Sequence, residues 1–245
     1  MPLDKDVSLL YDELQHSGFY DDEYGGNETY AGRLVVHAVP KDAESVLEVG
    51  PGTGLQLKLI VDARQRIRRI TAVEAAQAMA AKLESRLAPI MSIRNGHVES
   101  IVKSVQDAWS ELVPHDVVIS SYVGVYLGDI PGYIDRLYEL VKPGGVLIYV
   151  DAVDPSPPMD WQRFLITSLI MLIGSHLKAG LILSPRDLRR SFRFAKIENN
   201  PQYKALANFH GGYHFPIEQW RAEALKHNGK IIQTAPITAI MVCRR

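Results

Sequence analysis

The sequence predicts an α/β fold: a doubly wound, mainly parallel sheet with helices on both faces and an inserted helical lid. Three observations carry this. From residue 45 onward, short β-rich runs alternate with helical stretches. Three of the four runs are apolar at nearly every position, as strands covered on both faces must be. The chain closes on a helix and two strands separated only by Ala235-Pro236, which predicts an antiparallel hairpin.

Taken in order, residues 1–29 are an acidic segment without the long apolar core of a signal peptide, so no secretion signal is expected. The first strand spans 46–49 and runs into the glycine loop. A second spans 70–74, and a helix rich in Ala, Leu, Glu and Lys follows over 75–87. Further strands are expected at 117–120 and 146–150. Between them, 130–141 has apolar residues at helical spacing, stopped by Lys142-Pro143-Gly144-Gly145. The proline-rich AVDPSPPMD then breaks the alternation, and 152–211 reads as an insertion over one edge or the top of the sheet. In 212–245, IEQWRAEALKHNG is a helix stopped by glycine, and IIQT and ITAIMVC are the closing strands.

Composition narrows the partners. Of 245 residues, 47% are hydrophobic, enough for one domain with an insertion. A net charge of -1 gives no pull toward nucleic acid or anionic membrane. The single cysteine, Cys243, rules out a disulfide within the chain and suits a reducing, cytoplasmic compartment. The apolar stretch 164–183 is long enough for a membrane span, but Gly174, Ser175, His176 and Lys178 interrupt it. No stable membrane insertion is expected; the stretch suits a lid over a hydrophobic small molecule, or a homodimer surface.

The loop in SVLEVGPGTG carries the ligand chemistry. Gly50, Gly52 and Gly54 let the backbone turn sharply and admit a ligand where a Cβ would block it. Ligands in open parallel sheets sit at the carboxyl ends of the strands, where this loop lies. The dinucleotide pattern requires its third glycine at the sixth position, which is Leu55 here, so a NAD(P)-dependent oxidoreductase is disfavoured. Glu48 precedes the loop, a poor neighbour for pyrophosphate but a good acceptor for an ammonium group. Glu74 ends the next strand, where a carboxylate can accept both ribose hydroxyls. An adenosine-like ribose, no pyrophosphate and a positive end together describe S-adenosylmethionine.

With VLEVGPGTG, Glu74, HDVVISSYVGVYL and LVKPGGVLIYVD in that order, the chain resembles the class I S-adenosylmethionine-dependent methyltransferases over roughly 30–151 and 212–245. The resemblance implies a Rossmann-like seven-stranded sheet whose last strand is antiparallel. It implies a core at 30–151, a cofactor-covering segment at 1–29, a substrate lid at 152–211 and a sheet-completing end at 212–245. Gly50, Gly52 and Gly54 would pass under the methionine part, with Glu48 holding the loop or the ammonium group. Glu74 would bind the ribose, and Ala75 and Met79 would line the adenine. His97 and Val98 stand where the family often places an acidic adenine contact. Ser120, Ser121 and Tyr122 would lie near the sulfonium, and Tyr11 and Tyr20 resemble aromatics that close over the cofactor. The implied product is S-adenosylhomocysteine. SSYVGVY replaces the asparagine-proline-proline-tyrosine type motif, which argues against amino-type DNA and glutamine methylation.

Methyl transfer needs an in-line nucleophile, deprotonated if it is an alcohol, phenol or carbon acid. His210 and His214 in ANFHGGYHFP are the candidate bases, the alternative being ordinary loop histidines. Gly211-Gly212 between them denies the one-face geometry of helical metal ligands, so no metal is expected. Asp151 and Asp154 could orient a base or a polar substrate. The basic run of Arg186, Arg189, Arg190, Arg193 and Lys196 reads as a solvated face or as a receptor for an anionic small molecule. The nucleophile could be O, N or C, and a protein that binds S-adenosylmethionine without transferring its methyl stays open.

Overall fold

The computed structural model describes residues 8–9, 11–12, 15, 21, 25–154, 215–235 and 238–245. Among them, α1 (Gly25–Ala38) leads into β1 (Ser45–Val49), α2 (Leu55–Ala63), β2 (Arg69–Val73), α3 (Gln77–Ile93) and β3 (His97–Ile101). Next come α4 (Val105–Ala108), β4 (His115–Ser121), α5 (Ile130–Glu139) and β5 (Val141–Asp154). The chain ends with β6 (Phe215–Pro216), α6 (Ile217–Lys226), β7 (Gly229–Ala235) and β8 (Thr238–Arg244). The strand order is β3-β2-β1-β4-β5-β8-β7, with the short β6 beside the end of β5. Strands β1 to β5 pair in parallel, whereas β8 runs antiparallel to both β5 and β7. This is the expected doubly wound sheet with its antiparallel last strand.

The continuous apolar runs have a physical reason. Alternate residues of each strand enter two separate cores. Leu47, Val118, Leu147 and Met241 face one core, shared with Ile134 and Leu137 of α5 and Trp220 of α6. Val46, Ile70, Ile119 and Ile148 face the other, with Leu34 of α1, Leu57 and Ile60 of α2 and Leu83 of α3. Each such side chain taken fully out of water contributes about 1.5–3 kcal/mol.

The start of β1 is pinned to β4 by one carboxylate. Asp116 accepts from the Glu44 and Ser45 N–H groups, from the Ser45 hydroxyl and from Lys142 Nζ, all at 2.8–2.9 Å. Burial alone would raise its pKa, but the Lys142 ammonium and these donors outweigh burial and hold it below the ordinary carboxylate value.

Three elements differ from expectation. Helix α3 runs through Pro89 to Ile93, because Met79, Leu83, Leu87 and Met91 extend one buried stripe past the proline. β3 is an edge strand that is mostly half-exposed, so it lacks the apolar run that marks the others. β5 begins at Val141, and its KPGG turn sits inside the strand, where the pairing with β4 shifts register. Gly145 is required there, since a Cβ would lie 2.5 Å from the Asp116 carbonyl oxygen.

Helix α1 crosses the boundary expected at residue 30, and β5 carries the core to Asp154. No helix among the described residues is long and apolar enough to cross a membrane. Tyr20, the 164–183 stretch, the basic run from Arg186 to Lys196, His210 and His214 lie outside the described residues.

Candidate active site

Strand order reverses between β1 and β4: β2 and β3 lie to one side of β1, β5 and β8 to the other. The carboxyl ends of strands at such a switch point form a crevice with no crossover connection over it. The glycine loop leaves β1 into this crevice. Gly50 donates to the Val73 carbonyl at 2.9 Å, and Gly54 to the Pro51 carbonyl at 3.0 Å. Gly50, Gly52 and Gly54 have φ of +70°, +55° and +76°, the left-handed region open to glycine at low cost. Space adds a second demand: a Cβ at Gly50 would collide with Val123 Cγ2, and one at Gly54 would lie 2.9 Å from Leu83 Cγ.

Glu74 follows β2 and is buried. Its Oε2 accepts the Gly52 N–H and its Oε1 the Ala76 N–H, both at 2.9 Å. One carboxylate thus fixes both the glycine loop and the entry to α3. Burial raises its pKa, the N–H groups of Ala76, Gly52 and Ala75 oppose that, and the charge of Asp12 adds to it. Ala75 lies beside it, half-buried, and Met79 is fully buried under the first turn of α3.

Glu48 is 1% exposed, and its Oε1 accepts from Gln56 Nε2 at 2.8 Å. The same amide lies 3.0 Å from Ser121 Oγ, so Gln56 on α2 ties the end of β1 to the end of β4. Tyr122 follows β4 in the left-handed region, φ +57°, with its N–H on the Val150 carbonyl and 40% of its surface exposed. Such a backbone costs a bulky residue about 1–2 kcal/mol and marks functional positions. Asp151, at the end of β5, is buried and accepts the Tyr149 hydroxyl at 2.8 Å.

The structure does not gather every expected residue here. His97 and Val98 open β3, paired with Arg69 and Ile70, so they lie at the amino end of the sheet, away from the crevice. The adenine contact that the resemblance implies at this position is not supported by this register. Ser120 is fully buried and hydrogen-bonds the Tyr133 hydroxyl at 2.8 Å inside the core against α5. Its parity along β4, opposite to Ser121, turns it away from the loop side.

Tyr11, an expected residue, is joined at the crevice by others that the sequence reading did not single out. From the N-terminal segment, Tyr11 meets the Tyr126 hydroxyl at 2.8 Å, Asp12 accepts the Ala78 N–H at 2.7 Å, and Asp21 accepts the Thr53 hydroxyl at 2.6 Å. Arg86 of α3 reaches both the Thr53 carbonyl and Asp21. The acids stand beside the tyrosines in YDELQ and FYDDEY, so their place in an aromatic, acidic segment was the available signal. Arg86 and Gln56 gave none, as single polar residues on otherwise ordinary helices.

Residues 26–230 match the family model described as a methyltransferase domain. The chain belongs to the methyltransferase-domain family. As a class I methyltransferase domain it shares its fold with solved relatives of low sequence identity. One is an O-methyltransferase family protein from Burkholderia thailandensis, 15% identical, with a TM-score of 0.58 over 95% of this chain and 61% of that one. Mitomycin 7-O-methyltransferase is 15% identical, TM-score 0.55, over 96% and 60%. Human N-acetylserotonin methyltransferase, solved with S-adenosylmethionine, is 12% identical, TM-score 0.58, over 100% and 60%. The methyltransferase domain described here therefore spans about three fifths of those chains. Among curated proteins, none matches it in sequence.

Proposed function

We propose that this methyltransferase domain binds S-adenosylmethionine in the β1–β2–β4 crevice and transfers its methyl group to an O, C or N nucleophile of a small molecule. The observation that carries the reading is Glu74. Held by Gly52 and Ala76, it is oriented at the end of β2, and each oxygen keeps lone pairs that a ribose hydroxyl can use. The chain fits this cofactor: three left-handed glycines present bare backbone to the crevice, and the fingerprint spacing for a pyrophosphate is absent.

When bound, S-adenosylmethionine supplies an electrophilic methyl on a sulfonium. The chain supplies position. Glu74 receives the ribose, and the Gly50–Gly54 loop, braced through Gln56 and Glu48, underlies the methionine part. Tyr122 stands at the mouth. Proton removal from the nucleophile falls to His210 or His214 in this reading. Support comes from connectivity: His214 directly precedes β6, which pairs with Val153 and Asp154 at the carboxyl end of β5. The 152–211 region selects the substrate, through the basic run if that substrate is anionic, and its apolar 164–183 stretch is the surface for a homodimer.

Thermal unfolding with S-adenosylmethionine, S-adenosylhomocysteine and NADPH tests the cofactor. A ligand at about a hundred times its dissociation constant stabilises by about 2.7 kcal/mol. In a chain of this size that raises the midpoint by roughly 5–10 °C. A shift with the sulfur ligands alone supports the reading, and a shift with NADPH alone overturns it. Transfer of a labelled methyl to a panel of phenols, amines and carbon acids then tests catalysis. Binding without transfer to any of them would turn the reading toward a non-methylating protein.

A further inference from the structure

Asp21, Arg86 and Thr53 form a closed ring. Arg86 Nη2 donates to Asp21 Oδ2 at 2.8 Å, and Arg86 Nη1 donates to the Thr53 carbonyl. The Thr53 hydroxyl donates to the other Asp21 oxygen at 2.6 Å. Each member therefore contacts both others. Thr53 is fully buried and sits between Gly52 and Gly54, in the loop that Glu74 also grips. The side chains of Arg86 and Asp21 are 15% and 24% exposed, so solvent and salt screen this pair less than a surface one.

Two more bonds join the same N-terminal segment to the crevice. Asp12 takes the Ala78 N–H, two residues beyond the Ala76 N–H held by Glu74, and Tyr11 meets Tyr126 in the β4–α5 connection. These anchors fall on three different elements around the mouth. The Asp21 ring carries a formal ion pair and reaches the glycine loop through Thr53.

We propose that the Asp21–Arg86–Thr53 ring latches the glycine loop to α3 through Asp21 and sets how long the cofactor stays bound. Arg86 is a positioning residue in this scheme; it touches Thr53 of the loop and Asp21, and acts on the cofactor through the loop. The inference rests on the cofactor reading above. A latch that holds the glycine loop in one conformation slows release while leaving the chemical step alone.

The test uses the full chain, with labelled S-adenosylmethionine bound and then chased by excess unlabelled compound. Arg86→Met keeps the length of the side chain but removes the charge and the donors. It is expected to release the cofactor about tenfold faster or more, as loss of a charge-assisted pair implies. Asp21→Asn should accelerate release similarly, and the double variant no further than either single one. Arg86→Lys should recover part of the effect, and kcat should change less than the release rate unless release limits turnover. Melting points of the ligand-free variants separate a latch from general destabilisation, because Asp21→Asn removes no core contact. Release at the parental rate in both single variants, or fully additive effects in the double, overturns the latch. Failure of the parental chain to bind either sulfur ligand overturns the cofactor reading itself and removes the latch with it.

Discussion

Removing the carboxylate of Glu74 should separate cofactor binding from turnover. Glu74→Gln keeps one carbonyl oxygen for one of the two N–H groups and turns an amide donor toward the other. A hydrogen bond to a charged group contributes about 1.5–3 kcal/mol, and a buried unpaired N–H costs about 1–3 kcal/mol. Relief of the buried charge offsets part of this, so the ligand-free protein should lose about 1–3 kcal/mol of stability, and Glu74→Ala more. Loss of charged acceptors for the ribose should weaken S-adenosylhomocysteine by roughly tenfold to a hundredfold. Calorimetric titration of the folded variant reads the affinity, and kcat at saturating cofactor should change far less, because ground state and transition state lose the same contact. Burial also raises the pKa of this carboxyl, so parental affinity should start to fall at a pH above the ordinary carboxylate range. A folded Glu74→Gln protein that binds the ligand within twofold of the parent would refute the assignment.

Gly50→Ala forces a Cβ into a left-handed residue and against Val123. It should destabilise by about 2–4 kcal/mol and abolish cofactor-induced stabilisation in the same melting assay. Tyr122→Gly should relieve strain while losing a partly exposed side chain, leaving stability within about 1 kcal/mol. Methyl transfer should nevertheless fall at least tenfold, and an unaffected rate would reduce Tyr122 to a structural turn residue. His115 is fully buried between Thr71 Oγ1 and the Val113 carbonyl. Burial lowers its pKa, outweighing the Val113 carbonyl, and nearby Arg69 and Lys142 add to the lowering. The unfolded chain therefore takes up its proton first as the pH falls. The stability this neutral imidazole confers is complete above about pH 6.5 and declines below it. Urea unfolding at several pH values should show that decline, and His115→Gln should flatten it.

The strands at the heart of the sheet were legible because both of their faces enter cores, which writes an unbroken apolar run into SVLEV and VVIS. β3 was not. HVESI buries only its last residue well, and its strand character comes from pairing with β2 rather than from its own composition. Without that strand, the end of the sheet on which His97 lies is not legible. The glycines and Glu74 were legible as a local pattern, since strain-free left-handed turns and a strand-ending carboxylate need particular residues in sequence order. Asp12, Asp21, Gln56 and Arg86 are tied to the crevice through partners 8 to 66 positions away, and no local pattern records such distances. Tyr20 and the two histidines remain sequence expectations.

A buried carboxylate is costly unless backbone donors meet it, and that cost explains how this crevice is built. Glu74 lies at the amino end of α3, where free N–H groups and the helix dipole both favour a negative charge. Asp12 uses another such N–H, at Ala78, so two acids are held at one helix terminus. Burial, with a smaller contribution from the Asp12 charge, raises the Glu74 pKa, yet the donors keep its side chain in one orientation. Folding, rather than ligand binding, therefore bears the expense of ordering this carboxylate. A ribose arriving at β2 would meet an acceptor that needs no reorganisation, the condition under which a few polar contacts yield useful affinity.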